Sequence, residues 1–235
     1  MKFWKFLKKL IRGIVVAFFA STILSVVVLR FVPVWFTPLM CIRCGEQIKE
    51  GRELKLKHTW VSLDEMSKSM PVAVIASEDA NFLKHHGFDY KAIENAAKRN
   101  MKHPEKRKLG ASTISQQTAK NVFLWPGHSW VRKGFEVYFT ALIELLWSKQ
   151  RIMEVYLNSI EMGEGIYGVE AVAHQHFNTT AKELSRSQCA LIAATLPNPR
   201  KFSSKNPSSY MLKRQQKIMR EMKFVPSFPQ EGKDK

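Results

Sequence analysis

Two adjacent acids, Glu78 and Asp79, follow the apolar run PVAVIA and open the polar stretch SEDANFLKHHG. A carboxylate held at the end of a buried helical turn could act as a general base at the rim of a cleft. Acids are also ordinary at the solvated end of a surface helix. The pair taken alone therefore leaves a catalytic and a structural interpretation open.

A second polar stretch, GASTISQQTAKN, covers residues 110–121 and follows the basic segment NMKHPEKRKL. An amphipathic helix would place more apolar residues on one face. Hydroxyls, backbone N–H groups and a lysine near a helix start suit a phosphate group, although the G-x-x-x-x-G-K-[ST] pattern of nucleotide-binding loops is absent. The alternative is a capped surface helix. The polar or flexible residues are Gly110, Ser112, Thr113, Ser115, Gln116, Gln117, Lys120 and Asn121.

Arg132, Lys133 and Glu136 form a third charged group. An arginine and a glutamate four residues apart usually form a solvated pair on a helix surface. A fourth stretch, NSIEMGEGIYG (residues 158–168), has glycines that indicate turns or a close approach of backbone.

The elements that position these residues are predicted to be helical. From Ser69 to Lys223 apolar residues recur every three or four positions, and Ser148 is placed to begin a second helix within residues 131–159. Further helices are predicted over 169–177 and 184–196, the latter ended by Pro197. The pattern predicts a mainly α domain without an internal repeat.

The N-terminus reads as a membrane anchor. Residues 14–29 contain no charge, and FVPVWF extends the apolar run beyond Arg30 to Phe36. A span needs about 20 apolar residues, so Arg30 would lie near an interface, next to Trp35 and Phe36. Five bases precede the span, which predicts a cytoplasmic N-terminus. A cleaved signal peptide is the alternative, but no clear cleavage site follows.

Charge and cysteines exclude several classes. The net charge of +17 is concentrated at the two ends, whereas a nucleic-acid binder more often carries its charge on the folded body. Three cysteines are too few for a disulfide scaffold. Cys41 and Cys44 form a C-x-x-C without the context of a redox or zinc site, so we expect an incidental pair that an oxidising compartment could join as a disulfide.

Taken together, the polar stretches resemble the family 51 glycosyltransferases, the peptidoglycan glycosyltransferases that polymerise lipid II. EDANFLKHHG is similar to the motif E-D-x-x-F-x-x-H-x-G, and GASTISQQTAKN to G-x-S-T-[IL]-[ST]-Q-Q-x-x-K-N. RKGFE, KQRIMEVYLN and ALIAATLPNP resemble three further family motifs in the same order and spacing. The resemblance covers roughly residues 58–199. It implies a lysozyme-like helical head lobe with a small membrane-proximal jaw lobe.

The resemblance also implies roles. Glu78 would be the base and Glu136 the second catalytic carboxylate, which could hold a divalent metal (Mg or Mn) at the diphosphate or orient the neighbouring cations. No organic cofactor is expected. One departure is His128, which stands where many members have arginine four residues before the R-K pair. The implied substrate-binding residues are Asp79, Ser112, Thr113, Gln116, Gln117, Lys120, Asn121, Arg132 and Lys133.

These expectations divide the chain into a basic cytoplasmic tail (1–12), a transmembrane helix (13–36), a glycosyltransferase domain (37–224) and a flexible tail (225–235). The catalytic domain would face the periplasm from the inner membrane, with lipid II, the glycan strand, the bilayer and cell-division or elongation proteins as partners, and no nucleic acid. About 35 residues follow Arg200 and no S-x-x-K occurs, so no transpeptidase activity is expected. Two alternatives remain, a lysozyme-like lytic enzyme and a non-enzymatic basic membrane-anchored binding protein.

Overall fold

The computed structural model describes residues 2–106, 108–127 and 129–229, and of Lys2 the backbone only. The chain divides into two compact units, one up to Pro33 and one from Val34 onward. The first unit contains helix α1 (Lys2–Leu29). Its section Phe3–Leu29 is long and apolar enough to cross a membrane.

The helix has other limits than the predicted transmembrane segment, 13–36, and the limits of the span itself stay a prediction. The helix begins within the basic segment at Lys2 and ends at Leu29, with Arg30 N–H still 3.1 Å from the carbonyl oxygen of Val26. Pro33 has no N–H to donate, and it disfavours helical backbone at the residue before it. The apolar residues between Arg30 and Phe36 therefore do not extend the helix.

The second unit is mainly helical, as the sequence predicted. Besides the α-helices given next, the described part of this unit contains a 3₁₀ turn at Leu63–Glu65 and a π-helical turn at Ala173–Phe177. The α-helices are α2 (Pro38–Lys49), α3 (Ser69–Glu78), α4 (Tyr90–Lys102), α5 (Ile114–Phe123), α6 (Trp130–Leu146), α7 (Lys149–Ser159), α8 (Val169–Val172), α9 (Arg186–Thr195) and α10 (Ser209–Glu221).

Several helices begin where a hydroxyl side chain can accept a hydrogen bond from a backbone N–H of the first turn. Ser148 accepts from Arg151 N–H at the start of α7, which confirms the predicted second helix, and Ser129 accepts from Arg132 N–H at the start of α6. Such caps satisfy donors that have no partner within the helix.

A small sheet joins distant parts of this unit. Strand β1 (Lys57–His58) pairs in parallel with β3 (Ile166–Tyr167), and β3 pairs antiparallel with β2 (Glu161–Gly163). Gly165 has φ of +65°, and a Cβ there would lie 2.3 Å from the carbonyl oxygen of Lys55. The glycine-rich stretch thus serves the close approach that the sequence indicated.

The core lies where α3, α9 and α10 pack together and where α5 packs against α6 and α7. Helix α3 is buried along most of its length, with Met70 and Val74 fully covered. Phe123 of α5 stacks on Phe139 of α6 with ring centroids 4.5 Å apart. These contacts hold α3 and α5 in place, and both carry predicted site residues.

The predicted flexible tail needs one correction. Phe228 is only 3% exposed, and its ring centroid lies 6.2 Å from that of Phe82. Because this aromatic side chain is buried, it anchors the chain at Phe228, whereas a flexible tail would be solvated. Residues 230–235 lie outside the described residues. The other domain limits and the division into head and jaw lobes stay predictions.

The cysteines are free thiols. Cys41 is exposed and Cys44 partly buried on α2, and Cys189 is buried in α9. Burial raises the pKa of Cys189 to about 12. Its thiol therefore stays protonated and acts as a small apolar group.

Candidate functional site

Glu78 is the last residue of α3, and its side chain is 13% exposed. The amide of Gln117 donates to Glu78 Oε2 over 3.1 Å, and the hydroxyl of Ser77 donates to Oε1 over 3.2 Å. Arg214 of α10 lies 3.6 Å from the same Oε1. Each carboxylate oxygen of Glu78 thus has a hydrogen-bond donor or a cation beside it.

The Gln117 amide is itself held on its other side. The hydroxyl of Tyr156, on α7, donates to Gln117 Oε1 over 3.1 Å. Burial, together with the negative charges of Glu78 and Asp79, raises the pKa of Tyr156 well above its usual value. The tyrosine therefore stays protonated and a donor, and a hydrogen-bonded chain runs from α7 through α5 to the end of α3.

Asp79 points away from this arrangement. Its backbone leaves the helix with φ of −158° and ψ of 75°, and its side chain is 2% exposed. Asp79 Oδ2 accepts from the backbone N–H of Ile114 over 3.0 Å, and His85 Nε2 lies 3.0 Å from the carboxylate. Asp79 therefore ties α3 to the first residue of α5, and it is absent from the cavity lining described below.

Thr113 and Gln116 build the start of α5. Thr113 accepts from Gln116 N–H over 3.1 Å, while Gln116 Oε1 accepts from Thr113 N–H over 3.0 Å, which is a reciprocal capping box. The Thr113 hydroxyl also donates to the carbonyl oxygen of Gly87 over 2.7 Å. Both residues are buried, at 2% and 4% exposure, whereas Ser112 just before them is exposed. Thr113 and Gln116 thus cap the helix, but the helix start is buried and is not the surface helix of the alternative interpretation; their substrate-binding role stays a prediction.

Arg132, Lys133 and Glu136 form a compact charged cluster on α6. Arg132 Nη1 donates to Glu136 Oε2 over 2.8 Å, and Lys133 Nζ donates to Glu136 Oε1. Glu136 and Arg132 are only 3% and 7% exposed, so this is not the solvated surface pair that the spacing suggested. The buried Arg132 Nε has no hydrogen-bond partner within the described residues. A buried donor of this kind is open to an incoming anion.

A cavity of about 410 Å³ lies beside these groups. Its lining includes Gln117, Lys120, Asn121 and Arg132 among the predicted residues. Burial lowers the pKa of Lys120. The negative charge of Glu136 opposes this shift, and that of Glu78 opposes it more weakly, whereas the positive charges of Arg132 and Lys133 reinforce it. Lys120 thus interacts electrostatically with the carboxylates of Glu136 and Glu78, and it lies on the cavity wall.

The cavity is lined by Gln117, Lys120, Asn121 and Arg132 among the predicted residues. Glu78 is not part of the lining and is joined to it by the hydrogen bond from Gln117, while Glu136 is joined to it through its pair with Arg132. The cavity lining does not include Asp79, Thr113 or Gln116, whose hydrogen bonds hold the start of α5. Ser112 and Lys133 are outside the cavity lining, and His128 lies outside the described residues.

Sequence reasoning missed three residues of this region. Arg214 reaches Glu78 from α10, beyond the motif-bearing segment, and its spacing carried no signal of that contact. Arg43 and Glu161 line the other part of the cavity, 3.8 Å apart at Arg43 Nε and Glu161 Oε2. Burial raises the pKa of Glu161, and Arg43 opposes that shift. Glu161 lies in the fourth polar stretch, residues 158–168, and the polar character of that stretch is the signal that could have identified it as a site residue.

The donor set around Glu136 does not fit a protein-held divalent metal. Both of its oxygens are bound by cationic side chains. Within the described part of the chain, no three His, Cys, Asp or Glu residues form a group that could hold a metal ion. Metal ions such as Mg²⁺ need oxygen ligands that are free to coordinate.

Comparison with known proteins gives a consistent result. Residues 45–223 match a family model described as "Transglycosylase". A protein of Bacteroides thetaiotaomicron named "Biosynthetic peptidoglycan transglycosylase" is 65% identical over 218 residues, 93% of this chain and 87% of the relative. A protein of the same name from Bdellovibrio bacteriovorus is 50% identical over 226 residues, 96% of this chain and 89% of the relative.

Proposed function

The chain belongs to the transglycosylase family, and from that membership we propose that it polymerises lipid II into the glycan strands of peptidoglycan. The relatives that match most of its length carry the name of that biosynthetic activity. The observation that carries the proposal is a base-type carboxylate, Glu78, linked through Gln117 to a cavity with Lys120 and Arg132 on its wall.

The reaction is an inverting glycosyl transfer. The 4-hydroxyl of GlcNAc on one lipid II attacks the anomeric carbon of MurNAc at the end of the growing strand, and Glu78 takes the proton of that hydroxyl. The bond between the anomeric carbon and the diphosphate oxygen breaks, and undecaprenyl diphosphate leaves with the electron pair. Glu78 suits the proton transfer because its oxygens are held by Gln117, Ser77 and Arg214.

The cations stabilise the negative charge that develops on the leaving diphosphate. Lys120 and Arg132 line the cavity, and Arg132 Nε, which has no hydrogen-bond partner among the described residues, offers a further donor. Glu136 holds Arg132 and Lys133 in position rather than contacting the reacting atoms. Gln117 and Asn121 are placed on the cavity wall to bind sugar or phosphate oxygens.

We assign no step to a divalent cation. The acids near the cavity are already paired with cationic side chains, so a cation, if the reaction uses one, would arrive with the phosphates of the substrate. That cation would supply charge neutralisation at the diphosphate.

The lipid carrier explains a membrane anchor. The substrate stays in the bilayer, and α1 contains a section long and apolar enough to cross it. The bases before the span favour a cytoplasmic N-terminus and a periplasmic catalytic domain on the inner membrane. Contacts with cell-division or elongation proteins stay a prediction.

The test is product analysis with the full-length protein in detergent or vesicles. Lipid II should be converted to polymer, and preformed glycan should not be shortened. Shortened glycan would instead identify a lytic enzyme that uses Glu78 as an acid. Binding to anionic vesicles without turnover of either substrate would identify a non-enzymatic membrane protein.

A further inference from the structure

A hydrogen-bonded chain joins three helices at Glu78. Tyr156 of α7 donates to Gln117 Oε1 over 3.1 Å, and Gln117 of α5 donates from Nε2 to Glu78 Oε2 over 3.1 Å. Glu78 is the last residue of α3 and has no following helical turn to confine its side chain. Its position therefore depends on side chains that come from other helices.

Tyr156 is suited to fix the amide because it is completely buried. Its exposure is 0%, so bulk water cannot take over the contact with Gln117. The raised pKa described above keeps its hydroxyl protonated. A donor held against Oε1 leaves only the Nε2 end of the amide to face Glu78, because a primary amide has its acceptor and its donors on opposite sides.

We propose that Tyr156 is a positioning residue for the catalytic base, acting through Gln117 on Glu78. This inference rests on the proposed function and deepens it, because it assigns the orientation of the base to a residue outside the cavity lining. The hydroxyl of Tyr156 fixes the amide of Gln117, and the amide holds Glu78 Oε2. The remaining oxygen, Oε1, is shared by Ser77 and Arg214.

Geometry of this kind affects turnover more than binding. A base displaced by about 1 Å can lose about a hundredfold in rate, although substrate contacts elsewhere persist. Tyr156 is completely buried, so its hydroxyl does not contact the substrate directly. Its removal should lower kcat and leave KM nearly unchanged.

The chain offers a matched control in Tyr167. This tyrosine is also fully buried, but its hydroxyl has no hydrogen-bond partner among the described residues. Tyr156→Phe and Tyr167→Phe each remove one buried hydroxyl and keep the ring. We expect Tyr156→Phe to lower the kcat of lipid II polymerisation about tenfold, as expected when a buried acceptor loses its partner. Tyr167→Phe should stay within about twofold of the parent.

A double-mutant cycle tests whether Tyr156 acts through Gln117. Gln117→Met keeps the length of the side chain but makes no amide hydrogen bond, and it should lower kcat at least as much as Tyr156→Phe. Adding Tyr156→Phe to Gln117→Met should then cost less than about twofold, because linked residues are not additive.

Three outcomes would overturn the inference: equal kcat values for Tyr156→Phe and Tyr167→Phe, a parent-like kcat for Gln117→Met, or a full tenfold further loss in the double variant. Gln117→Met leaves the buried ring intact, so a parent-like kcat for this variant would overturn the inference even where Tyr156→Phe fails to fold. A parent protein that makes no polymer would contradict the proposed function instead.

Discussion

Arg214 Nη2 lies 3.6 Å from Glu78 Oε1 and donates to the hydroxyl of Ser77 over 3.1 Å. Arg214 belongs to α10, whereas Ser77 and Glu78 belong to α3, and these two helices pack against each other. With Gln117 on the other oxygen, Glu78 has a cation on one side and a neutral donor on the other. These contacts from two different helices fix the position of the Glu78 carboxylate.

Replacing the base should nearly abolish turnover. Glu78→Gln keeps the shape of the side chain but cannot accept the proton, so polymerisation should fall at least about a hundredfold while lipid II binding changes much less. Polymer formation and lipid II binding are measured separately on folded protein. Glu94→Gln changes an exposed acid on α4 that pairs with Lys98, and it should be active. A folded Glu78→Gln variant within about threefold of the parent would place the base elsewhere.

The role of Glu136 can be separated from metal binding. Glu136→Gln removes the charge that pairs with Arg132 and Lys133, so both cations should be less well placed and the rate should fall. We expect higher Mg²⁺ or Mn²⁺ concentrations not to restore it. Initial rates over a metal titration check this. Recovery of most of the rate at high metal concentration would instead show that Glu136 acts through a bound cation.

Lys120 gives the site a pH dependence. Burial lowers its pKa, although Glu136 partly opposes that effect. A diphosphate binds the protonated amine, so lipid II affinity should weaken as pH rises through the lowered pKa. Lys120→Arg should flatten this fall below the usual lysine pKa of about 10.4, because arginine stays charged. Binding titrations at several pH values measure it, with the exposed Lys98→Arg as control. Parallel curves for Lys120→Arg and the parent would contradict a contact with phosphate.

Asp79 should matter for stability before it matters for chemistry. Its carboxylate accepts from Ile114 N–H and contacts His85, so Asp79→Ala leaves a buried donor at the start of α5 unpaired. Leaving a buried donor unpaired costs about 1–3 kcal/mol, and Asp79→Asn should cost less because its oxygen can still accept. Thermal unfolding compares the two. An unchanged midpoint for Asp79→Ala with strongly reduced turnover would return Asp79 to the substrate-binding residues.

The membrane orientation has its own measurement. The bases before the span predict that the N-terminus stays in the cytoplasm and that the catalytic domain lies outside it. A reporter that is active only in the periplasm should work when fused after Lys235. Activity of a cytoplasm-only reporter at the same position would contradict this orientation.

The sequence by itself determined the features that depend on neighbouring residues. Ser148 begins α7 as predicted, because a cap involves residues only three positions apart. The helical class followed from the apolar periodicity, and the likeness to the transglycosylases from the order of the motifs. Glu78 was predicted as the base in the same way, since its motif is local, and that role stays a prediction.

Tertiary structure decided what each site residue touches. Glu78 and Asp79 are adjacent, yet the chain leaves the helix between them, so one carboxylate faces Gln117 and the other is buried against Ile114. The spacing of Arg132 and Glu136 allowed a solvated pair, and it is the packing of the domain around α6 that buries them. Contacts such as Arg214 with Glu78 join residues more than a hundred positions apart, and they exist only because helix packing brings their side chains together.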